Sequence, residues 1–545
     1  MDIYQELIGF VKKNDFSEKQ FSALKRSLCK KYKVAKPPTN FEVLMHVQEK
    51  DIDKIKNRLM TKPTRSISGV SPIAIMTQPF KCPHGKCLMC PGGPESFFGD
   101  VPQSYTGQEP ATLRGIRNLF DPYLQVFNRL EQYVVLGHSI DKIELIIMGG
   151  TFPSFPKKYQ DNFVTYSFKA MNDFSKLFFL KGKFNAKKFK KFFYLPGPVG
   201  DPLRTKKIHE KLLKLKKEAV LGKEQKKNER ADVRCVAICI ETRPDYCMKK
   251  HIDQMLKLGT TRVELGVQHV DNKVLKKINR GHTVEDSIKA TRLLKEAYLK
   301  VGYHMMPGLP GSTIVQDKKM FREIFQNPDF KPDALKIYPC MVAPGTKLYD
   351  LYQKKKYKPL TTEKAAKLIS EIKKYVPKYC RIMRVQRDIP SYQIAAGVGL
   401  TNLRQLIHQK YNPKCQCIRC REPRRRVISW PAVKLLVEKY EASGGIEYFI
   451  SLEDTENNIL LGFCRLRIGK EAGIRELHVY GQSTKIGTKG GVQHRGLGKK
   501  LIKEAEKTAK QNGKKKLDVI SGIGVRQYYA KLGYSLDGFY MSKKL

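Results

Sequence analysis

Hydrophobic positions change their spacing twice along this chain of 545 residues. Over residues 1–60 they keep helical spacing. Ile3, Leu7 and Val11 share a face, while Ser17 with Gln20 and Thr39 with Glu42 read as capping boxes that open two more helices. From about residue 70, short apolar runs alternate with helical stretches. Strands are expected at 70–76, 142–148, 233–240, 262–267, 300–306 and 335–339, with helices such as 249–258 and 283–297 between them. Strands separated by helices call for crossover connections, so this pattern predicts a parallel α/β barrel or open sheet. Residues 155–230 interrupt it, and 361–431 read as a helical linker. From about 432 the texture changes. Segments 447–451, 459–467 and 475–480 read as antiparallel strands, followed by a helix at 499–510, a strand at 517–520 and a helix at 525–532. The expected division is 1–68, 69–360 with an insertion at 155–230, 361–431, and 432–545.

Charge adds a partner class to this picture. The net charge is +51, and lysine and arginine outnumber acids about two to one. A solvated lysine-rich surface accounts for part of this. A polyanion partner accounts for more, because neutralising phosphates releases counterions. Residues 1–60 carry thirteen basic residues against eight acids, and 181–230 carry seventeen against five. In the second stretch phenylalanines interleave with lysines, which fits either a solvated helical insertion or a phosphate-contacting arm with stacking aromatics. No apolar run approaches membrane-spanning length and the N-terminus has no secretory h-region, so the expected location is cytoplasmic, with no membrane partner.

Thirteen cysteines supply candidate chemistry. Six lie in two tight clusters, which in such a chain favours metal binding over disulfides. The first cluster, KCPHGKCLMCPGGP at 81–94, places Cys82, Cys87 and Cys90 just after the first expected barrel strand, where barrels carry their chemistry. Three thiolates there suit an iron–sulfur cluster with one open iron, and a zinc knuckle stays open as an alternative. The second cluster, KCQCIRCREPRRR, holds Cys415, Cys417 and Cys420 and reads as structural zinc, with Cys380 and His408 as nearest candidates for a fourth ligand. Arg421, Arg424, Arg425 and Arg426 follow and are candidate contacts for a nucleic-acid backbone. Further on, QHRGLG (Gln493, His494, Arg495, Gly496, Gly498) opens a helix, a place where backbone N–H groups can receive a pyrophosphate.

These motifs converge on known families. Residues 70–345 resemble the radical S-adenosylmethionine enzymes, and 432–545 resemble the acetyl-CoA-dependent N-acetyltransferase (GNAT) fold. Their fusion in this order resembles the Elongator catalytic-subunit family, the tRNA uridine(34) acetyltransferases. The resemblance rests on strings such as TKPTRSISGVSPIAIMTQPFKCPHG, QSYTGQEP, DKIELIIMGGTFPS, ICIETRPDYC, ELGVQHV, RVQRDIPS, RELHVYG and VISGIGVRQYYAKLGY. It implies a partial (β/α) barrel of the radical S-adenosylmethionine type joined to a mixed α/β acetyltransferase domain, with a basic helical N-terminal segment. The C-x4-C spacing and the zinc-like triplet look more like the archaeal or bacterial stand-alone form, so accessory Elongator subunits are expected only for a eukaryotic-like chain.

The resemblance also implies roles. Cys82, Cys87 and Cys90 would hold a [4Fe–4S] cluster whose open iron chelates S-adenosylmethionine, although the spacing departs from C-x3-C-x2-C and Met89 stands where an aromatic is usual. Gly149, Gly150, Glu241, Arg243 and Gln268 match positions around S-adenosylmethionine; read as plain sequence, Glu241 and Arg243 could instead pair with each other. Glu476, Leu477, His478 and Val479 resemble the strand that holds the pantetheine arm of acetyl-CoA, residues 493–498 the pyrophosphate loop, and Tyr528 and Tyr529 the tyrosines near the thioester. Lys142 matches a lysine linked to acetyl-CoA use. The implied substrate is the anticodon stem-loop of tRNA, with an electron donor required and a homodimer left open. A protein-lysine acetyltransferase and a tRNA-binding scaffold with an inactive cluster are the rival readings.

Overall fold

The computed structural model describes residues 2–48, 51, 55, 58–60, 69–197, 201–424, 426–481 and 496–545. The N-terminal helices Ile3–Lys13, Glu18–Lys31 and Asn40–His46 start as the sequence indicates. Ser17 and Thr39 each accept from the N3 backbone while Gln20 and Glu42 reach back.

Two seven-stranded sheets follow. The first contains β1 (Ser71–Met76), β2 (Lys142–Met148), β3 (Arg234–Thr242), β4 (Arg262–Gln268), β5 (Lys300–Met305), β6 (Ala334–Ile337) and β7 (Arg381–Arg384). Spatial order follows chain order and every pair is parallel, giving a curled half-barrel with helices in the crossovers. The seventh strand falls inside 361–431, so that stretch is part of the barrel sheet rather than only a linker.

The faces of this sheet are unlike each other. On β2, Ile143, Leu145 and Ile147 are fully buried, as are Val263, Leu265 and Val267 on β4; they join the apolar core. The alternate residues Lys142, Glu144, Ile146 and Met148, with Arg262, Glu264, Gly266 and Gln268, line a cavity on the other face. Barrel interiors are ordinarily filled with branched apolar side chains. This one is hollow and charged.

The second sheet contains β8 (Val433–Ala442), β9 (Gly445–Asp454), β10 (Ile459–Ile468), β11 (Ala472–Val479), β12 (Lys516–Val519), β13 (Ser535–Asp537) and β14 (Tyr540–Lys544), in the order β8-β9-β10-β11-β12-β14-β13. It is mixed, with β11 and β12 parallel and the other pairs antiparallel. Helix Leu497–Gln511 covers its separate apolar core through Leu501, Ile502, Ala505 and Ala509.

The insertion resolves the reading of its phenylalanines. Phe163, Phe168, Phe174, Phe178, Phe189 and Phe193 are buried in the main core, and the last four meet one another edge to face or tilted. They pack the insertion instead of presenting stacking faces, and the lysines between them form its solvated side.

The two sheets meet through close backbone approaches and buried charge. A Cβ on Gly522 would lie 1.9 Å from the Val236 carbonyl oxygen, and one on Gly473 would lie 2.3 Å from the Tyr298 ring. Arg475 of β11 is fully buried and donates to Asp333 at 2.7 and 2.8 Å and to Glu447 at 2.9 and 3.0 Å. Lys300 of β5 pairs with Glu476 of β11. No helix among the described residues is long and apolar enough to cross a membrane.

Candidate active site

Residues 77–105 build the upper end of the half-barrel. Turns set the loop after β1: Gly85 N–H donates to the Cys82 carbonyl and Cys90 N–H to the Cys87 carbonyl, both at 3.0 Å. Donors converge on the thiols. Gln103 Nε2 lies 3.0 Å from Cys90 Sγ, a His84 ring nitrogen 3.2 Å from Cys87 Sγ, and Arg280 Nη1 3.6 Å from the same sulfur. Burial, then the neighbouring Cys90 thiol, pushes Cys82 up to about 11. Met89 is buried with Val274, Leu275, Ile278 and Met306, so at the position of the usual aromatic it serves as packing under the loop.

The two cysteine triplets differ in tightness. The sulfurs of Cys415, Cys417 and Cys420 all lie within 4.8 Å of one another. A single zinc with bonds of about 2.3 Å needs sulfurs that close. Cys82, Cys87 and Cys90 do not form so tight a group among the described residues, as suits thiolates that bind separate irons. Cys380 and His408 stay outside the tight triplet; Cys380 is buried and His408 meets Lys373 at 2.9 Å. If the triplet holds zinc, purified protein should carry about one zinc per chain, lost on Cys417→Ser, and elemental analysis without zinc in the native protein would refute that role.

The arginines beyond this triplet divide. Arg421 is 1% exposed and spends its guanidinium on the Gln416 and Lys378 carbonyls, at 2.9 and 3.0 Å, and on Glu453 at 2.6 Å. It is a structural residue, not a tRNA contact, because no phosphate can reach it. Arg424 and Arg426 are exposed. Arg425 lies outside the described residues, as do Gln493, His494 and Arg495.

A single cavity of about 1020 Å³ joins the remaining candidates. At its upper end it is lined by Cys82, Gly150, Glu241, Arg243 and Gln268. Gly149 and Gly150 have φ of +122° and +114°, and a Cβ on Gly149 would meet Thr77 Oγ1 at 2.2 Å, so the turn requires glycine. Gln268 holds φ +68°, a strained value for a residue with a side chain. Buried polar atoms there lack partners: Thr242 Oγ1, Arg243 Nη1 and Gln268 Oε1. Orphaned donors and acceptors beside a glycine turn fit a polar cofactor such as S-adenosylmethionine. Arg243 pairs with Asp245 at 2.9 and 2.8 Å, so it does not pair with Glu241.

At the lower end the lining passes to the second sheet: Glu476, Leu477, His478, Val479, Gly496, Gly498, Tyr528 and Tyr529. The β11–β12 ladder ends at Ile474–Val519, while β11 continues beside β10 to Val479. The strand thereby runs past its parallel neighbour along the cavity wall. Gly496 caps helix Leu497–Gln511 at φ +78°. A Cβ on Gly498 would meet the Tyr528 hydroxyl at 2.8 Å, so Gly498 admits that ring. Tyr528 and Tyr529 meet edge to face at 5.3 Å. Lys142 lies on the wall between the ends, and burial pulls its ammonium below its usual value. These residues fit the pantetheine arm and thioester of acetyl-CoA.

Sequence reasoning named Glu241 but missed its partners in the middle of the cavity. Glu241, Glu264, His304, Lys336 and Tyr105 line it as one connected network. Lys336 Nζ donates to Glu241 at 2.6 Å and also pairs with Glu264; His304 Nε2 lies 2.9 Å from Glu264, and the Tyr105 hydroxyl 3.3 Å from Glu241.

Half-barrel, open cysteine triplet and splayed acetyltransferase strand together define a radical S-adenosylmethionine enzyme fused to a GNAT domain. Family comparison gives the same division: the Radical SAM superfamily over residues 80–324, its C-terminal domain over 332–412, the ELP3 N-terminal domain over 1–67 and the acetyltransferase (GNAT) family over 407–534. A tRNA uridine(34) acetyltransferase of Methanocaldococcus infernus is 48% identical over 93% of this chain and 92% of its own length. Elongator complex protein 3 of Schizosaccharomyces pombe is 38% identical over 100% of this chain and 97% of its own. The solved M. infernus Elp3 with its N-terminus deleted superposes with a TM-score of 0.70 at 43% identity, covering 88% of this chain and all of that one. The chain belongs to the family of Elongator protein 3, the tRNA uridine(34) acetyltransferases. The radical SAM half implies a [4Fe–4S] cluster and S-adenosylmethionine, and the GNAT half implies acetyl-CoA.

Proposed function

We propose that this enzyme carboxymethylates C5 of the wobble uridine, U34, of tRNA, drawing the two-carbon unit from acetyl-CoA. The observation that carries this reading is the single cavity linking the cysteine loop to the acetyl-CoA strand. Uridine C5 is a poor nucleophile for ordinary acyl transfer, and a carboxymethyl group joins the ring through the methyl carbon. Activation of a methyl C–H bond is therefore needed. When bound, the cluster with S-adenosylmethionine would supply that chemistry as a hydrogen-abstracting 5′-deoxyadenosyl radical. Hydrolysis of the thioester then leaves the carboxylate.

The chain's own residues bind, orient and exclude water. Cys82, Cys87 and Cys90 would hold the cluster, and Gly149, Gly150, Glu241, Arg243 and Gln268 the S-adenosylmethionine. Glu476–Val479, Gly496, Gly498, Tyr528, Tyr529 and Lys142 would hold the acetyl-CoA. The relatives named for tRNA uridine(34) and the basic exposed surface support a tRNA substrate. An unstacked anticodon base is the form in which a single uridine can enter such a pocket.

A conventional lysine acetyltransferase fits less well. Its general base would need a pKa near the working pH. Burial raises the Glu476 carboxyl, but Lys300 and Arg465 outweigh that and hold it down to about 2, so it is no proton acceptor of use. Reconstituted protein with reductant, S-adenosylmethionine and methyl-labelled acetyl-CoA should place label in 5-carboxymethyluridine of tRNA digests, measured by nucleoside mass spectrometry. Label confined to peptide lysines, or absent from tRNA, overturns the proposal.

A further inference from the structure

Apart from Glu241, which also lines the upper end, the charged network midway along the half-barrel is not used by either binding end. It spans neighbouring strands: Glu241 on β3, Glu264 on β4, His304 on β5 and Lys336 on β6, with Tyr105 arriving from the cysteine loop side. Buried ion networks usually contribute less than an apolar filling of the same volume. A network of this kind on the wall of an open cavity is therefore better explained by a ligand than by stability.

Its hydrogen-bonding inventory leaves two atoms open, one N–H of Lys336 and the buried Glu264 Oε1, which lies 3.3 Å from Arg262 without a hydrogen bond. Glu264 meets Lys336, His304 and Arg262, and Glu241 meets Lys336 and Tyr105. Lys336 is 8% exposed, and its ammonium carries three N–H groups. Two are engaged by Glu241 and Glu264, and no third partner occurs among the described residues. The donor still available on this stretch of wall belongs to a cation that stays protonated, because Glu241 and Glu264 outweigh burial and hold it well above its usual value. Glu241, Glu264 and His304 also have the spacing of a metal site, but the Lys336 ammonium already supplies positive charge among them. A ligand that meets Lys336 must offer it an acceptor atom.

The geometry points to Lys336 as the anchor for the carbonyl oxygen of the acetyl thioester, holding the acyl group midway between the β11 wall and the Gln268 wall. This rests on the function proposed above. Strand register orders the wall: Lys300, paired with Glu476, stands at the start of β5, Lys336 lies level with His304 further along, and Gln268 lies level with Met305 beyond, so an acyl arm entering from Glu476–Val479 would pass Lys300 before Lys336. A carbonyl is acceptor-only and matches the remaining N–H. A uracil edge, which presents an N–H between two oxygens, matches it less completely. During thioester hydrolysis, water adds to the carbonyl carbon, the C–S bond breaks, and the proton goes to the coenzyme A sulfur. A fixed ammonium at the oxygen stabilises the negative charge that develops there.

The test uses two stable ligands and the full-length protein. Acetonyl-CoA carries a ketone, and S-propyl-CoA has the same chain without the oxygen. By calorimetry the native protein should prefer the ketone by about tenfold, the scale of a hydrogen bond to a charged group. Lys336→Met combined with Glu241→Gln, which avoids leaving two carboxylates uncompensated, should bind both ligands alike, while Glu241→Gln alone should keep the preference. If the double variant fails to fold, the carbonyl stretch of bound acetonyl-CoA decides without any variant: a shift to lower wavenumber supports the anchor and an unshifted band overturns it. Equal binding of the two ligands by the native protein, or a preference retained in the double variant, also overturns it. Because neither measurement involves tRNA, a ketone preference present in the native protein and lost in the double variant, together with no tRNA modification, would sink the function proposed above and leave the anchor standing.

Discussion

Cys87→Ser should abolish both the visible absorbance of the reconstituted cluster and tRNA carboxymethylation, with turnover falling by at least about a thousandfold. A serine hydroxyl is a far poorer ligand for iron than a thiolate, and every later step depends on an intact cluster. Cys87 is also well engaged, since the His84 ring and the Arg280 guanidinium both reach its sulfur. Arg280 is in turn fixed to the Gly266 carbonyl at 2.7 and 3.2 Å, on a strand facing the S-adenosylmethionine end. The loop itself is held by backbone bonds from Leu88 to Ile278 and from Leu348 to Leu88. The variant should therefore fold and melt like the native protein. Retention of cluster absorbance and turnover would remove the cysteine loop from the catalytic account.

Asp333→Asn should destabilise the chain by about 3–5 kcal/mol, the usual cost of breaking a buried ion pair by neutralising one member. The substitution keeps the volume and removes only the charge. Asp333 is fully buried, accepts from Arg475 and the Val301 N–H, and lies 3.5 Å from Arg465. Without it two guanidinium groups remain buried between the sheets with less compensation. Burial raises the Asp333 carboxyl, but Arg475 and then Arg465 outweigh it and hold it far below its ordinary value. A depressed acid contributes stability that is present above its unfolded-chain pKa, about 3.9, and lost as pH falls below that. Denaturant titrations should thus show the native protein weakening steeply below about pH 4 and the variant following a flatter acid limb. Equal stability at neutral pH would mean that the interface is held by packing alone.

Much of the barrel was legible in the chain because a parallel sheet with helical crossovers repeats a simple alternation. Six of its seven strands could be placed from apolar runs. The seventh, Arg381–Arg384, was hidden because Arg381, Met383 and Arg384 face the cavity and only Ile382 reports the core. The charged middle of the site was hidden for a related reason. Glu264, His304 and Lys336 sit inside strands, where isolated polar residues read as interruptions. A signal did exist: KIEL at the start of β2 and RVELGVQ alternate polar or small residues with apolar ones, whereas parallel strands covered on both faces are near-continuously apolar. That alternation announces a polar concave face. Arg421 shows the opposite failure. Its place in an arginine run suggested a phosphate contact, and only the fold reveals that its partners are carbonyls and Glu453.

The glycines at the seam between the two sheets constrain how this enzyme can be recombined. Gly522 and Gly524 lie so close to Val236 and Arg234 that neither side has room for one added methyl group. Exchange of the acetyltransferase half between distant relatives must therefore carry a matching start of β3 with it. The two halves inherit as a pair, and a junction placed at the chain boundary near residue 432 would separate surfaces that have to be moulded together.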